Sequence, residues 1–269
     1  MASNSETGHA INVANFEDLI SYCTGYGATY NPSKVALQIP NLITLRTTAQ
    51  GNIQSINANG TNLVNAINAR QLAFDPIKPL ATRIVNALAA TDASDELVKD
   101  AQTINRKIQG ARKSTATTPD PVPPVPPVPP IPPVPPAPIT DPTNPTPVPT
   151  PTPTQISVSQ QSYDSLLENF NKLIALVASE PTYTPNEVDL QVATLTAQSA
   201  TLGVTNTNVI NATTNLSNAR IARNATLYAA KTGLYDIAQE VKKYVKSVFG
   251  AASEQYKQVS KIKFTKPRQ

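Results

Sequence analysis

The sequence predicts an all-α protein made of two homologous antiparallel helical bundles joined by a polyproline II linker. Apolar residues recur at spacings of three and four residues along much of the chain. A block of about fifty residues repeats at a spacing of 153 residues, and most of the 26 prolines fall between the two copies. Alternation with a period of two residues is sustained nowhere, so no sheet is expected.

The repeat is clearest where YNPSKVALQIPNL, from Tyr30, lies over YTPNEVDLQVATL, from Tyr183. At the same spacing Arg70 meets Arg223, and the register continues without a break through the apolar residues between them. A spacing of 154 residues aligns the preceding segments, which requires a one-residue length change in a loop. We interpret this pattern as an internal duplication, in which each copy forms its own bundle.

Each copy is expected to contain about four helices, one of them long. In the first copy, apolar residues at helical spacing predict a helix from about Pro40 to Phe74, roughly 50 Å long at 1.5 Å per residue. In the second copy, Thr184 has the residue type of an N-cap, Pro185 suits the first turn, and Glu187 completes a capping box. The second long helix is therefore predicted to begin there.

Shorter helices are predicted on both sides of the long ones. They are expected at residues 16–23, 80–90, 163–177 and 227–249. Ser94 is predicted to cap a fourth helix that ends at Gly110, and Ser253 to cap its counterpart in the second copy.

These elements divide the chain into five segments. Residues 1–12 are expected to form a disordered tail, 13–113 the first bundle, 114–156 the linker, 157–264 the second bundle and 265–269 a basic tail. Each proline of the linker fixes φ at about −65° and removes a backbone donor, so polyproline II is predicted. We favour a stiff spacer that sets the separation of the bundles over a docking site for aromatic-lined grooves.

Catalytic and cofactor-binding motifs are missing from the sequence, so a non-enzymatic protein is predicted. Cys23 is the only cysteine and His9 the only histidine, and His9 falls in the tail expected to be disordered. A nucleophilic cysteine needs a base within hydrogen-bond reach, so we expect Cys23 to be a buried core residue. Neither a phosphate-binding glycine motif nor metal-ligand spacing is present, and no catalytic residue, cofactor or metal is expected.

The C-terminal segment has a basic bias. Its basic residues are accompanied by one acidic residue, Glu254. Such a segment attracts phosphates or an anionic membrane surface, although a solvated face is the simpler interpretation. The predicted anion-binding residues are Lys242, Lys243, Lys246, Lys257, Lys261, Lys263, Lys266 and Arg268.

Two stretches, VNALAATDASDELVKDAQTINRKIQG from Val85 and VKKYVKSVFGAASEQYKQVSKIKF from Val241, resemble a family of duplicated helical-bundle proteins of Bacteroidota-type bacteria. The resemblance implies helical units with variable spacers and a bacterial source, which argues against eukaryotic proline-binding partners. It implies no activity and no binding residue. The long proline insert departs from the pattern of that family.

The predicted function is that of a structural or adaptor protein, whose two bundles bind an unidentified, multisite protein partner. Binding of nucleic acid or an anionic membrane surface through the basic segment is the alternative, and helical membrane insertion a lesser one. The opening residues lack a signal peptide, and no apolar run is long enough to span a bilayer. A cytoplasmic protein is predicted, while export by another route and the oligomeric state are left open.

Overall fold

The computed structural model describes residues 4–110 and 161–266, which are helical and contain no strand. The all-α prediction is confirmed for this part of the chain, whereas the predicted linker 114–156 lies outside it. The helices are α1 (Asn4–Gly25), α2 (Ile39–Phe74), α3 (Ile77–Ala89), α4 (Asp95–Gln109), α5 (Tyr163–Ala178), α6 (Val192–Tyr228), α7 (Leu234–Phe249) and α8 (Glu254–Ser260). None of these helices is long and apolar enough to cross a membrane.

The described residues form two compact units, and each unit contains elements of both sequence copies. Unit 1 holds residues 4–77 and 193–266, and unit 2 holds residues 78–110 and 161–192. In unit 1, α8 of the second copy packs on α1 of the first, and in unit 2, α4 of the first copy packs on α5 of the second. The units therefore differ from the prediction of one bundle per copy, because the last two helices of each copy lie in the same unit as the first helix of the other.

The core of unit 1 illustrates this exchange. Phe16 and Leu19 of α1 are fully buried in one cluster with Val241 and Val245 of α7. The four side chains come from opposite ends of the sequence, so burying them ties the N-terminal and C-terminal helices together. The core is mostly aliphatic, as the low aromatic content of the sequence requires.

The described residues on either side of the predicted linker meet within unit 2. The side-chain amide of Gln161 donates to the backbone carbonyl of Lys107 at 3.0 Å. Gly110 has a φ of 79° and lies so close that an added Cβ would be 2.7 Å from the Gln161 side chain. The described residues that flank the predicted linker therefore belong to one unit, and the role of the linker as a spacer stays a prediction.

Helix α1 begins at the fourth residue, so the prediction of a disordered tail at 1–12 is wrong from there onward. His9 and Asn12 are only 3% and 1% exposed. His9 Nδ1 lies 2.7 Å from the Tyr228 hydroxyl, and Asn12 Nδ2 donates to the Thr265 carbonyl at 2.7 Å. The polar partners of these side chains lie far away in sequence. The composition of the segment by itself therefore gave no sign that it is buried.

A buried tyrosine closes the loop before each long helix. The Tyr30 hydroxyl donates to the Leu37 carbonyl at 2.8 Å, and the Tyr183 hydroxyl donates to the Leu190 carbonyl at 3.0 Å. Each tyrosine is 6% exposed. The two loops lie 153 residues apart in sequence and have the same local geometry.

This tyrosine contact corrects the predicted start of the second long helix. Helix α6 begins at Val192 rather than at Thr184, after a 3₁₀ turn at Val188–Leu190. The loop must fold back for the Tyr183 hydroxyl to reach the Leu190 carbonyl, which prevents a helix over the intervening residues.

The predicted boundaries of α2, α4 and α8 are confirmed within about a residue. Helix α2 starts with Pro40 in its first turn and ends at Phe74. The Ser94 hydroxyl accepts from the backbone N–H of Leu97, and Gly110 ends α4 in the left-handed conformation. Ser253 caps α8 in the same way as Ser94 caps α4.

The two long helices run antiparallel, and each has a row of buried residues that recurs every seven positions, as one core position of a coiled coil does. Asn52, near the start of α2, donates to the Thr226 hydroxyl, near the end of α6, at 2.8 Å. Residues 59–69 and 205–215 line a common groove of about 410 Å³ that is rich in asparagine. The residues buried at this spacing are Leu42, Ala49 and Ile56 in α2, and Leu195, Leu202, Val209, Leu216 and Arg223 in α6.

Replacing Tyr30 by Phe is expected to lower the free energy of unfolding by about 1 kcal/mol, because the buried Leu37 carbonyl loses its donor. Tyr183→Phe removes the equivalent hydrogen bond in unit 2 and should cost a similar amount. Urea unfolding followed by circular dichroism measures both changes. Tyr22→Phe, at a 40% exposed position, is the control, and a Tyr30→Phe variant as stable as this control would contradict the account.

Candidate functional site

The environment of Cys23 is that of a core residue. The side chain is 1% exposed, and burial raises the pKa of its thiol to about 12. His9 lies fourteen residues away on the same helix, roughly 21 Å at 1.5 Å per residue, so it is no base for this thiol. The prediction of a buried core cysteine is confirmed, and its thiol is held in the protonated, unreactive form.

Potential metal ligands do not cluster in the part of the chain that the structure describes. Among these residues, no three His, Cys, Asp or Glu side chains converge on a common point. The candidate site must therefore be sought in shape and surface charge.

Cys23 is expected to resist alkylation in the folded protein, because a thiol with a pKa of about 12 holds almost no thiolate at pH 8. Iodoacetamide labelling followed by mass spectrometry should find slow modification of the native chain and rapid modification of the urea-unfolded chain. The chain has a single cysteine, so each added mass reports this site. Equal rates in the two states would show that the thiol is accessible and ionised.

Several lysines of the predicted anion-binding segment already have partners. Lys242 donates to the Ile262 carbonyl and lies 5.1 Å from the centre of the Phe264 ring, and burial lowers the pKa of Lys242. Lys257 forms an ion pair with Glu254 at 2.7 Å. The Lys242 contacts fasten the residues after α8 to α7, whereas the ion pair of Lys257 lies within α8.

Two further lysines lie over aromatic rings. Lys246 is 5.5 Å from the centre of the Tyr256 ring, and Lys266 is 6.0 Å from the centre of the Tyr235 ring. Arg268 lies outside the described residues.

Three lysines of the segment, Lys243, Lys261 and Lys263, form no side-chain ion pair within the described ranges. Lys261 and Lys263 line a shallow cavity of about 480 Å³ that Asp18 also lines. The carboxylate of Asp18 offsets part of their positive charge. The structure thus leaves fewer free cations than the sequence suggested, and anion binding stays a prediction.

Unit 2 contains a larger groove, of about 650 Å³, between the end of α3 and the loop that Tyr183 closes. We call this cavity the unit 2 groove. Its volume falls within the usual range of ligand sites, about 300–1,000 Å³. It is lined by Arg83, Asn86, Ala87, Ala90, Thr91, Asp92, residues 182–187 and Leu190.

The charge in the unit 2 groove is mostly negative. The Arg83 guanidinium donates through two nitrogens to both carboxylate oxygens of Asp189, and it holds the pKa of that carboxyl below its usual range. Glu187 and Asp92 also line the groove, and their carboxylates form no ion pair with any described residue. Arg83 is paired with Asp189, and the carboxylate of Glu187 also acts on its guanidinium, so the acidic side chains of Asp92, Glu187 and Asp189 outnumber this one cation.

Unit 1 has a loop closed by the same tyrosine contact, and there a second aromatic side chain packs against that tyrosine. Tyr30 corresponds to Tyr183, and Tyr244 corresponds to Thr91, at the spacing of 153 residues. The rings of Tyr30 and Tyr244 pack edge to face with their centres 5.3 Å apart. A small threonine stands at this position in unit 2, where α3 ends after Ala89.

In unit 1 an ion pair also joins the loop before α2 to α7. Lys34, on the loop, lies 2.5 Å from the carboxylate of Glu240 on α7. At the corresponding positions unit 2 has Glu187 on the loop and Ala87 on α3. The loop charge is reversed, Glu187 lines the groove, and Ala87 supplies no charge at the position of Glu240.

The sequence reasoning missed this groove, although the repeat contained the signal for it. Aligning the two copies beyond the conserved core would have placed Thr91 against Tyr244, Ala87 against Glu240 and Glu187 against Lys34. In these pairs a large side chain is replaced by a small one, or a positive charge by a negative one. The pairs predict a groove only in combination with the packing, in which the loop of one copy faces the helix of the other.

Comparison of the chain with family models, with curated proteins and with solved structures finds no match. The resemblance to a bacterial helical family stays a prediction, and the function must be argued from the geometry.

Proposed function

We propose that the protein is a non-enzymatic adaptor that binds a protein partner through the unit 2 groove. The observation that carries this proposal is the contrast between the units, because the chain's own side chains occupy the framework in unit 1 and leave it open in unit 2. Protein interiors are normally close-packed, and a cavity of about 650 Å³ on a solvent-facing surface suits a ligand.

We further infer that the chain arose by internal duplication, with the two copies exchanging their last helices. The matching tyrosine loops and the burial at equivalent positions support this inference. The two frameworks have since diverged, which favours one groove site per chain over two equal sites. The proline-rich segment is then an insertion in unit 2 and not a tether between binding modules.

Binding of nucleic acid or an anionic membrane surface is a second candidate function. It is supported by Lys243, Lys261 and Lys263, whose ammonium groups form no ion pair within the described residues. Phosphate contacts by these side chains would weaken steeply with added salt. The partnered lysines of the segment would contribute less, because Lys242 and Lys257 are already engaged.

A photo-crosslinking amino acid placed at Ala90 tests the adaptor proposal in the cells that produce the protein. Ala90 is exposed and lines the groove, whereas the neighbouring Ala89 is exposed but does not line it. Irradiation is expected to give discrete covalent protein adducts from position 90 and not from position 89, as read by mass spectrometry.

Adding Thr91→Tyr to the Ala90 variant should abolish the adducts, because a tyrosine there fills the groove as Tyr244 fills the framework of unit 1. Equal adducts from both alanine positions, or none from position 90, would overturn the groove as the partner-binding site.

A further inference from the structure

We propose that the unit 2 groove recognises a peptide segment in which an aromatic side chain stands next to a lysine or arginine. The inference rests on the proposed adaptor function and adds the chemistry of the ligand. It is argued from unit 1, where the same framework is occupied by side chains of this chain.

The aromatic part of the ligand follows from the ring that unit 1 supplies and unit 2 lacks. In unit 1 the Tyr244 ring meets the ring of Tyr30 edge to face, 5.3 Å between centres. In unit 2 the equivalent Tyr183 forms part of the groove lining, and Thr91 replaces Tyr244. A ligand ring beside Tyr183 would form the same kind of ring pair that Tyr30 and Tyr244 form in unit 1.

The cationic part follows from the reversed charge on the loop. Lys34 pairs with Glu240 in unit 1, but unit 2 has Glu187 and Ala87 at the positions of that pair, and both line the groove without forming one. A ligand cation near Ala87 would form an ion pair with Glu187. In this pair the negative charge is on the loop, whereas in unit 1 the positive charge is on the loop. Asp92 adds a second negative charge to the groove lining. Arg83 is paired with Asp189, so it repels a ligand cation less than a free arginine would.

The spacing of the two features matches a short peptide. Ala87, in the last turns of α3, and Thr91, in the turn that follows it, both line the groove within four residues of each other. A lysine or arginine next to an aromatic residue spans this spacing with its flexible side chain. Glu187 and Asp92 oppose phosphate groups, so a nucleotide is not expected to bind in the groove.

The direct test is calorimetric titration of the full-length protein with the capped peptide Gly-Lys-Tyr-Gly. Matched peptides replace the lysine by glutamate or the tyrosine by alanine. The Lys-Tyr peptide is expected to bind at one site per chain and about fivefold to tenfold more tightly than either control, with the preference over the glutamate peptide falling as salt is added.

Two variants locate the binding in the groove. Thr91→Tyr fills it, and Glu187→Lys gives the loop the charge that Lys34 has in unit 1. Each should weaken peptide binding about tenfold while thermal melting remains close to that of the parent protein. Asp100→Lys, at an exposed position on α4 that does not line the groove, makes the same change in net charge and should leave affinity unchanged.

Equal affinity for the lysine and glutamate peptides would overturn the assignment, as would undiminished binding by a folded Glu187→Lys variant. Free tyramine binding as tightly as the peptide would overturn the assignment to a peptide. Adducts from Ala90 combined with no preference for the Lys-Tyr peptide would refute the ligand chemistry and leave the adaptor function standing. Peptide binding without cellular adducts would refute the adaptor function and leave the ligand chemistry standing.

Discussion

The packing of the last helix of each copy on the first helix of the other is the contact on which the rest of the structure depends. Helix α8 covers α1 in unit 1, and α4 covers α5 in unit 2. The long helices α2 and α6 must then run past each other in opposite directions, as the contact between Asn52 and Thr226 requires. The packing of α4 on α5 also brings together the described residues that flank the predicted linker, where Gln161 donates to the carbonyl of Lys107.

This exchange also explains how two equivalent frameworks acquired different properties. In each unit the helix comes from one copy and the facing loop from the other, so substitutions in the third helix of the first copy alter unit 2 alone. Ala87 and Thr91 leave space in unit 2, whereas Glu240 and Tyr244 occupy the equivalent framework in unit 1. In unit 1 these contacts come from the side chains of the chain itself, whereas unit 2 has an open groove at the equivalent positions.

Local signals in the sequence were sufficient to predict the helices but not their partners. The periodicity of α2, the serine at the start of α4 and the glycine at its end act within a few residues, and these boundaries are confirmed. The delayed start of α6 depends on the Tyr183 hydroxyl, and the burial of His9 depends on Tyr228, a residue far away in sequence. An apolar helix face requires a covering partner without specifying which copy provides it, so the unit 2 groove could not be predicted from either copy alone.

The most direct test is to place a specific protease site within residues 114–156, cleave the purified protein and measure its mass by sedimentation. If each unit is built from both copies, the two fragments will stay together as one particle of the parent mass and unfold with the parent melting profile. Two separate, folded fragments of about half the mass would show instead that each copy is a bundle by itself, and would contradict the exchange on which this account depends.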